Sequence, residues 1–312
     1  MPTTRAHGTG SLRRRAGTAL LALTATACGF TLTACQNSAT APGERPASSA
    51  AAPSGATGSP APSPAASPEW DTSPDSLAAV GDSITAGFDA CGPLAVCPRA
   101  SWATGTDPSV DSLARRLLDH PARDSRNYAE PGATMADLPG QMARAAARSP
   151  ALVTVLVGAN DACRPSATSM TPVAAFRADF ADALRSLWRK APRAQAYVAG
   201  IPDLKHLWRV GRKQPQARRV WALGVCPSML RAPRATGAAA EARRERVAER
   251  VRAYNAALRE VCSAERRCRW DGGAVHRFRF TAASLSRWDW FHPSRKGQSA
   301  LARLAHARIT DR

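Results

Sequence analysis

Lysine and aromatic residues are scarce in this sequence. Only four of its 43 basic residues are lysine, and aromatic residues occupy 6% of its 312 positions. Proline, with 24 residues, and alanine are abundant instead. Such an average describes a chain of unlike segments rather than one uniform globule. With 44% hydrophobic residues the chain can still bury one sizeable core or two small ones, which excludes a mini-protein.

Paired C-x-x-C motifs are also absent, which argues against a structural zinc site. An apolar run of convincing transmembrane length is missing too, because the run at 16–34 barely reaches the length that a bilayer needs and contains five threonines. It follows Arg13, Arg14 and Arg15, the order of a charged n-region and an apolar h-region in an export signal. We therefore expect an export signal over residues 1–34 rather than a spanning helix.

The predicted signal ends in Leu-Thr-Ala-Cys at 32–35, which resembles the bacterial lipobox. Cys35 is then expected to be the first mature residue and to carry a lipid anchor. Cysteine suits this modification because its thiol is readily alkylated, and several acyl chains hold a protein on a membrane where one would not. The alternative is an ordinary secretory signal cut after Ala34, with Cys35 an incidental thiol.

An Ala/Pro/Ser-rich segment follows at 35–69. It cannot bury enough apolar surface to offset the entropy of ordering the chain, so a disordered tether is predicted. Residues 70–312 then form the folded domain, with a net charge of +16 once the five Arg and two Glu of residues 1–69 are set aside. We attribute this charge to arginine bias and solubility and expect no nucleic-acid partner. A polyanion-binding surface protein is the rival, and it predicts binding with steep salt dependence.

The folded segment alternates short apolar runs with longer stretches of helical period, which is typical of an α/β protein. Strands are predicted at 77–80, 126–128, 152–157 and 196–199, and helices at 109–119, 135–148, 172–188, 238–263 and 294–307. Residues 202–237 fit neither period, so we expect either a lid or binding flap, or a solvated excursion without a role. On the long helix predicted at 238–263, Arg244, Arg246 and Arg250 are expected on a solvated face.

Six cysteines remain once Cys28 and Cys35 are assigned to the signal and the anchor. An even number of cysteines in an exported domain predicts disulfides, for which fifteen connectivities are possible. Sequence proximity favours three pairs, namely Cys91 with Cys97, Cys262 with Cys268 and, by remainder, Cys163 with Cys226.

Four polar motifs stand at predicted strand ends or just before a helix. They are Gly81-Asp82-Ser83 after the first strand, the turn around Gly132 after the second, Gly158-Ala159-Asn160-Asp161 after the third, and Asp289 to His292 before the last helix. Singly, each is as well explained by a turn or a loop residue. Together they can meet at the carboxyl edge of a parallel sheet, where α/β proteins bind ligands. A serine there needs a base within hydrogen-bond reach, and a histidine supplies it when an aspartate holds its tautomer.

In this order the motifs resemble those of the GDSL or SGNH hydrolase family, over about residues 77–307. The family letters correspond to Ser83, Gly132, Asn160 and His292, with Asp289 three residues before the histidine, and an Ile stands at position 84 where the family nickname has Leu. The resemblance implies a three-layer α/β/α sandwich with a mainly parallel, flavodoxin-like sheet over the domain 70–312. It also implies a catalytic Ser83, His292 and Asp289, and an oxyanion hole formed by the backbone N–H groups of Ser83 and Gly132 and the side-chain amide of Asn160.

We therefore expect an exported serine ester hydrolase, an esterase or lipase that works through an acyl-enzyme and needs no metal or cofactor. Its substrate is expected to be an ester of a lipid or an acylated glycan. It is expected to be a monomer, held at a membrane by its lipid anchor or otherwise secreted. The alternatives are a carbohydrate O-acetyl esterase acting on a cell-wall or plant glycan, and a non-catalytic glycan-binding module on the same fold.

Overall fold

The computed structural model describes residues 69–311. The predicted signal at 1–34, Cys35 and the tether at 35–69, apart from its last residue, lie outside the described residues and stay predictions. Among residues 69–311, none of the helices combines the length and apolarity that crossing a bilayer requires.

One sheet of five parallel strands, in the order β2-β1-β3-β4-β5, forms the centre of the fold. The strands are β1 (Leu77–Gly81), β2 (Ser125–Asn127), β3 (Leu152–Leu156), β4 (Gln195–Val198) and β5 (Cys268–Trp270). Both β1 and β3 are buried at every position, because helices cover both faces of the sheet. Sequence reasoning missed β5, a three-residue edge strand with a central arginine, which is too short to show a period of two.

Helices pack on both faces of the sheet. In the described residues they are α1 (Ser83–Ala86), α2 (Leu113–Leu117), α3 (Pro121–Asp124), α4 (Leu138–Ala146), α5 (Ala159–Ala162), α6 (Val173–Lys190), α7 (Leu204–Gly211), α8 (Pro215–Trp221), α9 (Pro227–Leu230), α10 (Ala238–Ser263), α11 (Ala274–Arg277) and α12 (Arg295–Thr310). Helix α6 contacts both α4 and α10, and α2 contacts α12. From β1 the chain first goes to β2 at one edge of the sheet, and from β2 it returns across β1 to β3, β4 and β5. Because both crossovers are right-handed, the connection with α2 and the connection with α4 lie on opposite faces of the sheet. The predicted three-layer α/β/α sandwich is confirmed.

The direction of the chain reverses beside β1, and this positions the site. In open α/β sheets ligands bind at the carboxyl edge, where the loops of neighbouring strands leave in opposite directions. The loops after β1 and β3 are such a pair, because β1 and β3 are adjacent in the sheet. They carry Ser83 and Asn160 respectively.

Most of residues 202–230 are helical and packed, whereas residues 231–237 form bends and turns and are mostly exposed. Residues 202–230 contain α7, α8 and α9, and the side chains of Trp208, Trp221, Met229 and Leu230 belong to the main hydrophobic core. A solvated excursion without a role is therefore wrong for this segment. Its helices are short, and α8 and α9 each begin at a proline, so no helical period was visible in the sequence.

The prediction of a solvated face for Arg244 on α10 is also wrong. The Arg244 side chain is fully buried, donates hydrogen bonds of 2.8 and 2.9 Å to the carbonyl oxygens of Ala235 and Ala232, and stacks 4.0 Å from the ring centre of Trp208. Burial lowers its pKa to about 10. The arginine is buried because the segment from 202 to 237 folds over this side of α10 and offers carbonyls that need donors.

Three disulfides join Cys91 to Cys97, Cys163 to Cys226, and Cys262 to Cys268, the pairing that sequence proximity favours. The first closes a small loop after α1. The second ties the end of α5 to the start of α9. The third connects the end of α10 to β5 and so secures the short edge strand.

Candidate active site

A tight turn at the end of β1 presents Ser83. Gly81 ends the strand with φ +143°, and a Cβ atom there would lie 2.1 Å from the carbonyl oxygen of Leu156, so only glycine fits. Asp82 then caps α1, because its side chain accepts a 2.9 Å hydrogen bond from the N–H of Ile84. Ser83 is thereby the first residue of the helix, at the carboxyl edge of the sheet.

Two buried glutamines that sequence reasoning missed brace this turn. The Gln141 carboxamide accepts a hydrogen bond from the N–H of Gly81 at 2.7 Å and donates one to its carbonyl at 2.9 Å. Gln298 donates to the carbonyl of Ile84 at 2.8 Å. Both side chains are buried, although a glutamine within a helical period normally indicates a solvated position. No local signal in the sequence distinguishes them.

The structure brings Ser83, His292 and Asp289 together in a line. His292 Nε2 lies 2.7 Å from Ser83 Oγ, and His292 Nδ1 is hydrogen-bonded to Asp289 Oδ2. The other oxygen of Asp289 accepts hydrogen bonds from the N–H groups of Phe291, at 2.9 Å, and His292, at 3.0 Å. The spacing of three residues therefore lets one carboxylate fix both the loop backbone and the imidazole.

Aromatic side chains surround the imidazole and the loop that carries it. The rings of Phe88 and Phe291 meet the His292 ring edge-on, with centroids 5.0 and 5.1 Å away. Trp221, a buried residue of α8, donates a 3.0 Å hydrogen bond to the carbonyl oxygen of Asp289. The segment from 202 to 237 thus holds the loop of Asp289 and His292 in place, a role that the sequence did not reveal.

Three residues that carry N–H donors, Ser83, Gly132 and Asn160, line the same cleft. No hydrogen bond within the described part of the chain uses the backbone N–H of Ser83 or Gly132. Gly132 has φ +85°, and nothing lies within 4 Å of the position a Cβ would take. Asn160, on α5, donates one hydrogen of its amide to the carbonyl of Ala133 at 2.8 Å, which fixes the amide plane and leaves its second hydrogen available.

These residues line a cleft of about 490 Å³. Apolar side chains form much of its wall, namely Phe88, Leu94, Val220, Leu223, Val225, Trp288 and Phe291. Two of them, Leu94 and Leu223, are 86% exposed. A cavity of similar size near Ser149 and Arg193 lies beside the amino ends of β3 and β4, away from these side chains.

Burial perturbs the acidic groups of the site. Desolvation raises the pKa of Asp82 to about 7, and one of its carboxylate oxygens has no hydrogen-bond partner in the described residues. Burial also pushes up the pKa of Asp289, but the hydrogen bonds from His292 and from two backbone N–H groups outweigh it, so the net direction is down. Asp289 is therefore ionised where an imidazolium needs a counter-charge.

Asp89, Asp289 and His292 bring possible metal-ligand atoms within 4.8 Å of one another. Both ring nitrogens of His292 are already engaged, one by Ser83 and the other by Asp289. A metal ion here would have to displace one of these hydrogen bonds, so the donor set fits an acid-base relay better than a metal centre.

Comparison with known proteins places this geometry in context. The family model of GDSL-like lipases and acylhydrolases matches residues 77–305. None of the functionally curated proteins matches the sequence at a significant level.

Among solved structures, a phospholipase A1 from Streptomyces albidoflavus NA297 is similar, with a TM-score of 0.45 and 15% identity over 76% of this chain and 100% of that one. An extracellular lipase from Streptomyces rimosus has a TM-score of 0.43 and 15% identity over 76% of this chain and 100% of that one. An esterase from a Pseudoalteromonas species has a TM-score of 0.40 and 13% identity over 75% and 96%. Because the family match spans most of the sequence, this chain belongs to the GDSL-like lipase/acylhydrolase family.

Proposed function

We propose that this protein is an exported serine ester hydrolase in which Ser83 is the nucleophile, His292 the general base and Asp289 the residue that orients the base. The observation that carries the proposal is the 2.7 Å contact of His292 Nε2 with Ser83 Oγ, in line with the Asp289 carboxylate on the other ring nitrogen. The family, whose members are acyl hydrolases, supports the same reaction class.

The reaction begins when Ser83 Oγ attacks the carbonyl carbon of the ester and His292 Nε2 takes the hydroxyl proton. Asp289 stabilises the imidazolium that forms. When the tetrahedral intermediate collapses, the bond to the alcohol oxygen breaks and His292 returns the proton to that oxygen. Water then attacks the acyl-Ser83 ester with the same base, releasing the acid and restoring the serine.

The negative charge of each intermediate falls on the former carbonyl oxygen. The proposed donors to it are the N–H groups of Ser83 and Gly132, which have no partner among the described residues, and the second amide hydrogen of Asn160. Donors that are already in place need no reorganisation, and one of them is worth about 3 kcal/mol in kcat. The hydrogen bond from Asn160 to Ala133 supports this role because it prevents rotation of the amide.

The cleft favours an ester with an apolar acyl group. Its walls are lined by aromatic and aliphatic side chains, and exposed leucines stand on its rim. A long acyl chain along these walls would gain about 0.8 kcal/mol for each CH₂ that it buries. Export is supported by the three disulfides, which persist in oxidising compartments.

The test is hydrolysis of p-nitrophenyl esters of increasing chain length, beside release of acetate from an acetylated glycan. We expect Ser83→Ala and His292→Ala each to lower kcat by several orders of magnitude, and the double variant to be little worse than either, because the pair acts as a unit. Ser109→Ala, at an exposed position, is the matched control and should keep wild-type rates. A folded Ser83→Ala protein with substantial activity would show that the nucleophile is wrong.

A further inference from the structure

Asp89 is a buried acid that the reaction described above does not use. It follows α1 and adopts φ +56°, a left-handed conformation that Asp and Asn accept more readily than most residues. Its backbone is held on both sides, since its N–H donates to the carbonyl of Ala95 at 2.9 Å and its carbonyl accepts from the Ser286 hydroxyl at 2.8 Å. The residue itself is only 2% exposed. The fold thus fixes Asp89 against both the disulfide loop and the loop of His292.

The Asp89 carboxyl group stands behind the imidazole, beside Asp289. Its oxygen lies within 4.8 Å of an oxygen of Asp289 and of a ring nitrogen of His292. At this distance the two carboxyl groups interact directly, and Asp289 raises the pKa of Asp89. Its Oδ1 atom is buried and accepts no hydrogen bond within the described residues. Two buried carboxyl groups this close together are more stable when one of them retains its proton.

Electrostatics agree with this arrangement. Desolvation, followed by repulsion from Asp289, raises the pKa of Asp89 to about 6, and His292 acts in the opposite direction. Among the titratable groups, Asp289 and His292 have the largest effects on this pKa. The charge behind the imidazole therefore rises from one negative charge to two across the pH range in which a histidine base becomes neutral.

We propose that Asp89 is a positioning residue for the proposed reaction: its carboxyl group pairs with that of Asp289, holds the carboxylate that orients His292, and adds negative charge behind the imidazole as the pH rises. The inference rests on the proposed function of Ser83 and His292. It gives Asp89 an effect on the pH profile that a purely structural aspartate would lack.

The experiment compares Asp89→Asn with Asp89→Gly. Asparagine has an amide that can donate to Asp289 and it tolerates the left-handed backbone, whereas glycine tolerates the backbone but lacks the side chain. We expect Asp89→Gly to lower kcat by about 10- to 100-fold, because a shift of the catalytic groups near 1 Å costs about that much. The kcat of Asp89→Asn should be at least about tenfold higher than that of Asp89→Gly. Both variants remove the negative charge that favours the imidazolium, so the acid limb of kcat/KM should move to lower pH by about 0.5 to 1 unit.

The matched controls are Asp111→Asn and Asp111→Gly, at an aspartate with φ +51° that lies outside the cleft. Neither should move the acid limb. Thermal melting shows that each variant is folded, and Asp89→Asn keeps the test decisive if Asp89→Gly is unstable. If both Asp89 variants are equally slow, or if the acid limb stays where it is in the wild type, the inference is wrong.

Ser83→Ala is assayed in parallel. Activity without Ser83 would overturn the proposed function as well, whereas an inactive Ser83→Ala would mean that only the inference about Asp89 is wrong.

Discussion

At the scale of single residues, Asp82, next to the proposed nucleophile Ser83, is a buried acid with a strongly raised pKa. Asp82 is completely buried, and its capping oxygen receives one N–H while the other oxygen receives none in the described residues. Its pKa of about 7 in the folded protein compares with 3.8 for a free side chain. The folded state therefore keeps a proton that the unfolded state releases.

This difference predicts how stability depends on pH. Between about pH 4 and 7 the unfolded chain binds fewer protons at position 82 than the folded chain, so the free energy of unfolding should fall as pH rises. Asp82→Asn cannot ionise but still accepts from Ile84, so its stability relative to the wild type should grow across that window, by at most about 4 kcal/mol at 1.4 kcal/mol per pH unit. Urea unfolding at several pH values measures it.

The control for this prediction is Asp107→Asn, which should behave in the opposite way. Hydrogen bonding to Ser109 lowers the pKa of Asp107, so its ionised form stabilises the fold and the benefit is lost as the pH falls. Parallel stability curves for Asp82→Asn and the wild type would contradict the prediction.

At the scale of elements, the disulfide between α5 and α9 links stability to the site. Cys163 lies three residues after Asn160, and Cys226 borders the cleft. Closing a separation of 63 residues restricts the unfolded chain by about 4 kcal/mol. We expect the double variant Cys163→Ser, Cys226→Ser to lose about that stability and, because Asn160 loosens, to lose about tenfold or more in kcat. Melting temperature and ester kinetics measure the two effects.

Removal of the bridge between Cys262 and Cys268 is the matched control, since it lies between α10 and β5, outside the cleft. This bridge closes a separation of only six residues, so its removal should lower the free energy of unfolding by about 2 kcal/mol. The kcat should change little. If loss of the Cys163 bridge lowers the melting temperature but leaves kcat unchanged, the bridge stabilises the fold without holding Asn160.

The two loops on the cleft rim predict a preference for acyl-chain length. Leu94 has φ +50°, an uncommon conformation for a bulky residue, inside the loop closed by Cys91 and Cys97, and Leu223 precedes Gly224 on the opposite segment. Replacing both leucines by serine should lower kcat/KM for a long-chain ester about tenfold more than for an acetate ester, because the lost contact amounts to one or two CH₂ groups at about 0.8 kcal/mol each. Kinetics over the chain-length series measures this, with Ala222→Ser as the control in the same loop. Equal losses on both esters would argue against an acyl chain along this rim.

At the scale of the whole molecule, the prediction concerns where the enzyme acts. The predicted tether has about 33 residues between Cys35 and the folded domain and would reach on the order of 100 Å if fully extended. A lipid on Cys35 would then hold the cleft near a membrane. Cells that make Cys35→Ala should release the protein into the medium or keep an unprocessed precursor. Fractionation with an antibody, and mass spectrometry of the wild-type N terminus, measure the outcome. Equal release of both proteins would mean that Cys35 is not an anchor.

The sequence alone predicted the acyl-hydrolase family and the main strands. Ser83, Gly132, Asn160 and His292 could be predicted to lie together because each belongs to a short motif at a strand end or before a helix, and a parallel sheet brings such ends to one edge. The long helix α10 was predicted to the residue, because 26 positions of helical period are a strong local signal.

Only the tertiary structure decided what supports those motifs. Asp89 lies close to Asp289, 200 residues later in the chain, and Trp221 of α8 donates a hydrogen bond to the carbonyl of Asp289. Arg244 is buried because it donates to backbone carbonyls of the segment before α10, which shows no helical period in the sequence. A local pattern reports only whether a side chain faces one side of its own helix or strand. Whether a polar group is then buried depends on which distant segment folds over it and offers it a partner.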